Sequence, residues 1–368
     1  MHYQNRTILP VQGNYGVREV LGGDADIKAW QDFLAAKPEA GIYHDLAWRD
    51  IFASLGYRSR MLAAIDATGQ IGGVLPLYRV PSLGRRPRLV AVPFRDRGGA
   101  LFNGPDAFGA LVASAGKVAA DERAANVVLK TIEPYPAAAV EAAGLARSDY
   151  WVHSETDLRQ LDADTLLRRL GDKTRNMIRQ AEQAGLHVNE VEPHPNLDRW
   201  LHVYRKSQHL LGLPAFPGRF FERMLRLLGA GEKAKLFLVN DRDGNTVAAS
   251  IVFLEKTRVI YGYSASTPLG REARANDLML FRLLTWSMER GLQRFDMGSD
   301  SPLQEGLLFF KRKWLAKQTV IPTYHMGDSP AAPVDSSTGR FAGVRKIVAR
   351  LPEPVSRLGL TPLIRYFG

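Results

Sequence analysis

The chain contains no cysteine, which removes disulfide staples, thiolate metal sites and a cysteine nucleophile from consideration. Long apolar runs are also missing: no uninterrupted stretch approaches the ~20 residues of a spanning helix, and the opening MHYQNRTILPVQGNYGV has no apolar core of the signal-peptide kind. These absences lead to the expectation of a cytoplasmic protein. No His-Glu-x-x-His pattern occurs, and His202 and His209 have no acidic partner at ligand spacing, so no metal site is expected. His44 beside Asp45 reads the same way, as structural. There is no Gly-x-Ser-x-Gly elbow to support serine hydrolase chemistry.

What is present is an ordinary globular composition, 45% hydrophobic and 24% charged over 368 residues, which suits about two domains. Acidic residues are outnumbered, 38 against 49 Lys and Arg, giving a net charge of +11. That excess favours an acidic partner, whether tRNA, a nucleotide-bearing substrate, an acidic carrier protein or an anionic membrane. From Arg340 onward six basic residues face Glu353 alone, a net of +5, so much of the excess sits in a tail. After a linker-like stretch from Gly327, that tail is predicted to form a short basic amphipathic helix with Phe341, Val344, Ile347 and Val348 or Leu351 on one face. Its two readings are peripheral contact with a membrane and packing on the body.

Periodicity predicts helices over Ile27–Lys37, Leu46–Leu55 and Ala107–Ala125, with strands over Ser59–Ile65, Ile71–Val80 and Asn126–Ile132. Pro76 within the second strand predicts a bulge or an edge position. The second half repeats the order. Helices are expected over Thr165–Gly185, Leu197–Gly212 and Pro217–Gly229, then a hairpin of Leu236–Asn240 with Thr246–Glu255, a strand Arg258–Ser264, and a helix N-capped by Asn276. Both hairpins turn on an Asp/Gly loop and return through an apolar residue followed by two small ones: Ile71-Gly72-Gly73 and Val247-Ala248-Ala249. The interval of about 175 residues points to a duplicated domain.

The stretch from Leu292 to Trp314 concentrates the chemistry. A short strand from Gln293 to Gly298 leads to a polar loop carrying Asp300, Ser301, Pro302 and Glu305, then to Phe309, Phe310, Lys311, Arg312, Lys313 and Trp314. Such a sequence reads as one wall of a cleft.

Three segments in order, YHDLAWRDIFASLGY with QIGGVLPLYRV and VPFRDRGG, then KTRNMIRQAEQAGLHV, then FDMGSDSPLQEGLLFFKRKW, resemble the FemAB-like branch of the GNAT-type acyltransferases, in particular members near exopolysaccharide and exosortase loci. The resemblance spans about Tyr43 to Tyr324. It implies an α/β fold of two tandem GNAT-like domains, residues 1–152 and 153–326, followed by a linker and basic tail over 327–368. It further implies an N-acyltransferase that moves an aminoacyl or acyl group to an amine of a cell-envelope or exopolysaccharide precursor. The donor would be aminoacyl-tRNA, acyl carrier protein or acyl-CoA, with no tightly bound cofactor.

Carried onto this sequence, the family's Phe-Lys pair is Phe310 and Lys311, placing Lys311 at the tRNA 3′ end or at the reaction's developing negative charge. Asp300 and Glu305 are candidate bases or amine-binding carboxylates, and Trp314 fixes the direction of Lys311. Lys173, Arg175, Asn176 and Arg179 form a second basic group for phosphate contact, joined by Arg271. One departure stands out: the stretch TPLGREARAND, Thr267 to Asp277, lacks the glycine spacing with which acetyl-CoA enzymes cradle a pyrophosphate, which weighs against acetyl-CoA. The alternative reading is a non-catalytic RNA- or membrane-surface-binding protein on the same scaffold.

Overall fold

The structure is a computed structural model, and it describes residues 7–12, 14–328, 345, 348–351 and 359–366. Phe341, Val344 and Ile347 of the expected amphipathic tail lie outside the described residues; Val348 is buried and Leu351 exposed. Among the described residues no helix is long and apolar enough to cross a membrane. The chain divides into two compact units at Trp151/Val152, with residues 320–328 belonging to the first.

In the first unit the elements run β1 (Thr7–Gln12), β2 (Tyr15–Glu19), α1 (Asp24–Ala36), α2 (Ala47–Ala53), β3 (Arg58–Ile65), β4 (Ile71–Ser82), β5 (Arg85–Val90), β6 (Leu101–Phe102), α3 (Pro105–Asp121), β7 (Asn126–Lys130) and α4 (Ala137–Ala142). Strand β8 (Ala146–Asp157) passes from this unit into the next. The sheet is an antiparallel meander from β1 to β5, to which β7 adds in parallel through Leu89↔Val127 and Val90↔Val128. Beyond β7 the sheet is completed from far along the chain: Thr323–Gly327 pairs antiparallel with Asn126–Lys130. The resemblance assigns 323–326 to the second domain and Gly327 to the linker. Helix α3 begins with Pro105 at its first position and buries Phe108, Leu111, Ala115 and Val118 on the sheet. It stops at Asp121, short of the expected Ala125, because Arg123 adopts a left-handed conformation (φ 52°).

Pro76 introduces no bulge. Its pairing with Met61 on β3 is in register. On its other edge, the pairing with β6 ends at Val74 and that with β5 begins at Tyr78, so the missing N–H falls in a local gap.

The second unit continues with α5 (Ala163–Arg169), α6 (Asp172–Gln183), β9 (His187–Val191), α7 (Pro193–Leu210), α8 (Gly218–Gly229), β10 (Ala234–Asn240), β11 (Thr246–Leu254), β12 (Arg258–Ser266), α9 (Pro268–Glu272), α10 (Ala275–Glu289), β13 (Arg294–Asp300), α11 (Glu305–Arg312) and β14 (Lys317–Gly327). The single helix expected over Thr165–Gly185 is two: Leu170 is extended, Gly171 caps α6, and Asp162 caps α5 by accepting from the Thr165 amide at 2.6 Å. The unit's sheet runs β9-β10-β11-β12-β13 and ends on residues 152–157 of β8. Its core joins Ile178, Phe237, Val252, Leu280, Leu283, Phe295 and Trp314.

The two hairpins are the same local structure twice. Asp66 Oδ1 accepts from the amides of Thr68 and Gln70 (both 2.9 Å), and Asp241 Oδ1 accepts from those of Asp243 (3.0 Å) and Asn245 (2.8 Å). Gly69 (φ +85°) and Gly244 (φ +82°) occupy matching left-handed positions. Each hairpin carries its irregularity beside the turn, between Ala64 and Ile65 and between Val239 and Asn240. Each unit therefore builds a meander, crosses over by a long helix, α3 or α10, and adds a parallel strand.

Candidate functional site

In the second unit, β12 and β13 are parallel neighbours only through Arg258↔Arg294, Val259↔Phe295 and Ile260↔Asp296. Beyond that point β12 continues to Ser266 against β11 alone, while β13 resumes pairing with β8 at Ser299↔His153 and Asp300↔Val152. The irregularity between them is built by Gly298 (φ +73°), whose amide donates to Asp296 Oδ1 at 2.6 Å. The two strands part, and ligands of open α/β sheets bind at such carboxyl ends.

Lys311 stands at this opening. In the sequence it sits in the aromatic and basic run Phe309–Trp314; the structure buries it to 8% exposure. Its Nζ donates to the Met297 carbonyl at 2.5 Å and the Gly298 carbonyl at 3.1 Å, and pairs with Asp300 Oδ2 at 2.5 Å. Two carbonyls take hydrogen bonds from the ammonium, and the Asp300 carboxylate balances its charge. Asp300, expected in a loop, is the last residue of β13 and is itself buried; Glu305, expected in the same loop, opens α11 and is exposed. Leu308 and Lys311, three apart, form the inward face of that helix.

Trp314 is fully buried in the core, and its carbonyl accepts from Thr156 Oγ1 at 2.9 Å. It anchors the end of α11 to β8, so it acts on Lys311 through the helix. Phe310 is half-buried, with the Lys313 ammonium 5.0 Å from its ring centre. Lys313 also reaches Asp277 Oδ1 at 3.2 Å. Asp277 is buried in the first turn of α10, where the helix dipole favours a carboxylate. The expected cap at Asn276 is not made: α10 starts at Ala275 behind Arg274, which is left-handed (φ 63°) and caps without its side chain.

Tyr261 on β12 completes this side. Its hydroxyl donates to Ser264 Oγ at 2.5 Å, and burial pushes its phenol up to about 12, although its hydrogen bonding with Ser264 and Ser250 works the other way. Where acetyl-CoA enzymes expose amides, Thr267 Oγ1 instead accepts from the Gly270 amide at 3.1 Å, and Gly270 lies so close to Val247 that a Cβ would sit 2.3 Å from its carbonyl oxygen. Arg271 on α9 is exposed.

The basic group on α6 separates. Arg175 turns inward, donating to the carbonyls of Leu167 (3.2 Å), Arg168 (3.3 Å) and Leu170 and pairing with Asp172, so it closes the end of α5. Lys173, Asn176 and Arg179 are exposed.

Sequence reasoning missed a charge network at the root of the parting strands. His153 Nε2 lies 3.0 Å from Asp296 Oδ1, both fully buried. Glu155 takes Arg258 Nε at 2.8 Å and Arg294 Nη1 at 3.0 Å. Burial pushes the Glu155 carboxyl up, but Arg258, His153 and Arg294 outweigh it and leave it below its ordinary value. Among the described residues, His153, Glu155 and Asp296 are the group whose donor atoms converge, within 4.8 Å. Within it Glu155 is paired with two guanidiniums, Arg258 being shared with Glu255. The one sequence signal for it was the Asp296-x-Gly298 turn.

Residues 169–312, less than half of the chain, match the family model described as Acetyltransferase (GNAT) domain. No curated protein matches the chain. Among solved structures, FemX superposes with a TM-score of 0.66 at 16% identity, covering 81% of this chain and 95% of FemX. L-PGS from Bacillus licheniformis gives 0.57 at 16%, covering 89% and 98%. A tandem GNAT protein from the clavulanic acid biosynthesis pathway gives 0.55 at 12%, covering 86% and 100%. The protein has a mixed α/β, tandem GNAT-like fold, with a GNAT domain match seated on the second unit.

Proposed function

We propose that the protein is an N-acyltransferase of the FemAB and GNAT type, acting in the cytoplasm or peripherally at a membrane, that moves an aminoacyl or acyl group onto an amine of a cell-envelope or exopolysaccharide-related acceptor. The observation that carries this reading is the oriented Lys311 ammonium at the parting of β12 and β13, inside the segment that matches the GNAT domain model. The solved neighbours FemX and L-PGS agree with an aminoacyl donor. The engaged Gly270 amide agrees with a donor other than acetyl-CoA.

The acceptor nitrogen attacks the ester or thioester carbonyl. The new C–N bond forms as the C–O or C–S bond breaks, the nitrogen gives up a proton, and the leaving oxygen or sulfur takes one. An amine nucleophile needs no covalent intermediate, so the protein's tasks are positioning and stabilising the oxyanion. Lys311 supplies the positive charge, and Asp300 with the Met297 and Gly298 carbonyls fixes its direction. Phe310 lines the donor channel and Trp314 holds the helix that carries both. Glu305, exposed at the start of α11, binds the acceptor as an ammonium before it is deprotonated. Lys173, Arg179 and Arg271 meet donor phosphates, with Asn176 beside them, while Arg175 shapes the α5–α6 junction on which they stand.

Thermal shift against acetyl-CoA, long-chain acyl-CoA, acyl carrier protein and charged tRNA at fixed salt tests this. Stabilisation by one acylated donor and not by its deacylated form supports a transferase and identifies the donor class. A response to uncharged RNA or anionic vesicles alone, falling steeply with salt, overturns it in favour of a binding protein.

A further inference from the structure

Helix α11 is built inside out. Its inward face is Leu308 and the charged Lys311, while several of the residues it turns to solvent are apolar: Leu307 is 45% exposed and Phe309 62%, with Gly306 exposed beside them. Leu303, also 62% exposed, stands in the turn that leads into the helix. That turn is held by its own backbone. The Leu303 amide donates to Ser301 Oγ at 3.2 Å and the Gln304 amide to the Ser301 carbonyl at 2.9 Å, with Ser301 buried. The Leu307 and Leu308 amides then donate to the Gln304 carbonyl at 2.9 and 3.1 Å. Between residues 303 and 309, three large apolar side chains are thus fixed in water by a hydrogen-bonded chain.

A single exposed leucine is ordinary, but a group of large apolar side chains rimmed by polar ones marks a surface that meets something apolar. Size argues against a second protein: three partly exposed side chains offer on the order of 300 Å², well short of the ~800 Å² per partner of a stable protein interface. Charge narrows the choice further. From Ser301 to Thr319 the charged residues are Lys311, Arg312, Lys313 and Lys317 against Glu305 alone. Lys311 and Lys313 are balanced by Asp300 and Asp277, so the exposed charges of this stretch are Arg312, which also donates to Gln318 Oε1 at 2.8 Å, Lys317 and Glu305. Lys313 Nζ lies 4.0 Å from Met177 Sδ, which brings α6 alongside with its exposed Lys173 and Arg179. The exposed acids of α6, Asp172 and Glu182, pair with Arg175 and Arg282. The whole chain carries a net +11. Apolar tips set among cations suit an anionic bilayer surface, where the acyl boundary takes Leu and Phe and the headgroup phosphates take Arg and Lys.

We propose that the turn at Leu303 and the outward side of α11, with Leu307 and Phe309, form a docking surface for an anionic phospholipid bilayer. The three side chains enter the boundary between headgroups and acyl chains, and Arg312 and Lys317 meet lipid phosphates. Because Lys311 faces the opposite side of the same helix, docking sets the parting of β12 and β13 within ~10 Å, one helix diameter, of the headgroups. The surface is distinct from the basic tail after Arg340. It goes beyond the transferase reading and requires no acyl donor.

Co-sedimentation of the full-length protein with phosphatidylcholine vesicles, with and without phosphatidylserine and in the absence of any donor, reads it directly. Binding to the anionic vesicles alone is expected, weakened at least tenfold in the double variant Leu303→Ser with Phe309→Ser, weakened by added salt, and unchanged in Leu210→Ser on α7, which is also exposed. The chain has no cysteine, so Phe309→Cys carries a single environment-sensitive label that should shift to the blue on anionic vesicles, whereas Leu210→Cys should not; this second measurement decides if the serine variant fails to fold. No vesicle binding, or equal binding by the parent and the double variant with no shift at position 309, overturns the proposal. So does self-association of the parent that Leu307→Ser abolishes, which would make the face an interface between copies of the chain.

Discussion

Lys311 and Asp300 form a buried ion pair, Nζ to Oδ2 at 2.5 Å, across the turn by which β13 leaves its parallel neighbour. Removing one partner strands the other charge in a desolvated place, which typically costs about 3–5 kcal/mol. Lys311→Ala is therefore expected to lose both turnover and stability, whereas Lys311→Met combined with Asp300→Asn regains most of the stability. If Lys311 stabilises the oxyanion, the double variant melts near the parent yet its kcat stays down by about 10²-fold or more. Recovery of turnover along with stability would reduce the pair to a structural role.

Glu155 ties Arg258 and Arg294 to the same sheet. Its folded value lies below that of the unfolded chain, so the stability it contributes is present above about pH 4.5 and is lost as pH falls through the lower folded value. Arg258→Met leaves the burial of Glu155 opposed only by His153 and the more exposed Arg294, and is expected to cost about 3 kcal/mol at neutral pH. Urea titration at pH 7 and pH 4 checks it: the gap between parent and variant should narrow at the lower pH.

Tyr261 works in the opposite pH range. With its phenol held up to about 12 against 10 in an exposed tyrosine, the folded state keeps a proton that the unfolded chain gives up. The linked stability is whole below pH 10 and drains between pH 10 and 12. Tyr78 and Tyr135, also pushed upward by burial, add to the same loss. Ultraviolet titration of the folded protein should leave these three phenols un-ionised near pH 10.5, and Tyr261→Phe should soften the alkaline fall in Tm.

Gly99→Ala drives a methyl group into Tyr135 Oη and displaces the hydrogen bond to the Ala100 amide. A cost of roughly 1–3 kcal/mol is expected from the clash. Tyr135→Phe in the same background relieves the closest approach and should return part of it in a chemical denaturation series.

Much of the meander-helix-strand order was legible because its apolar runs and Asp/Gly turns are local signals: Asp66 and Asp241 write the same hairpin twice. Strand β8 was not legible. Its Arg147, Asp149, Glu155 and Asp157 break any apolar alternation, and the partners that make Glu155 tolerable, Arg258 and Arg294, lie more than 100 residues away. β9 was missed because it is an exposed edge with little apolar content. Lys311 was recognised as a residue but not as a buried one, since burial depends on the carbonyls of Met297 and Gly298 turning toward it. Arg175 reads as a phosphate contact because its basic neighbours are visible in sequence, whereas the carbonyl ends of the preceding helix that it caps are not.

The strand Thr323–Gly327 closes the sheet of the first unit, although it is made some 170 residues after the rest of that unit. On the ribosome, β7 must wait with an open edge while the whole second unit is synthesised. A nascent chain arrested before Lys317 would carry an incomplete first sheet, open to pairing with other chains. Nor does any single cut separate two whole units: a fragment ending at Trp151 lacks a strand that no residue before it can replace.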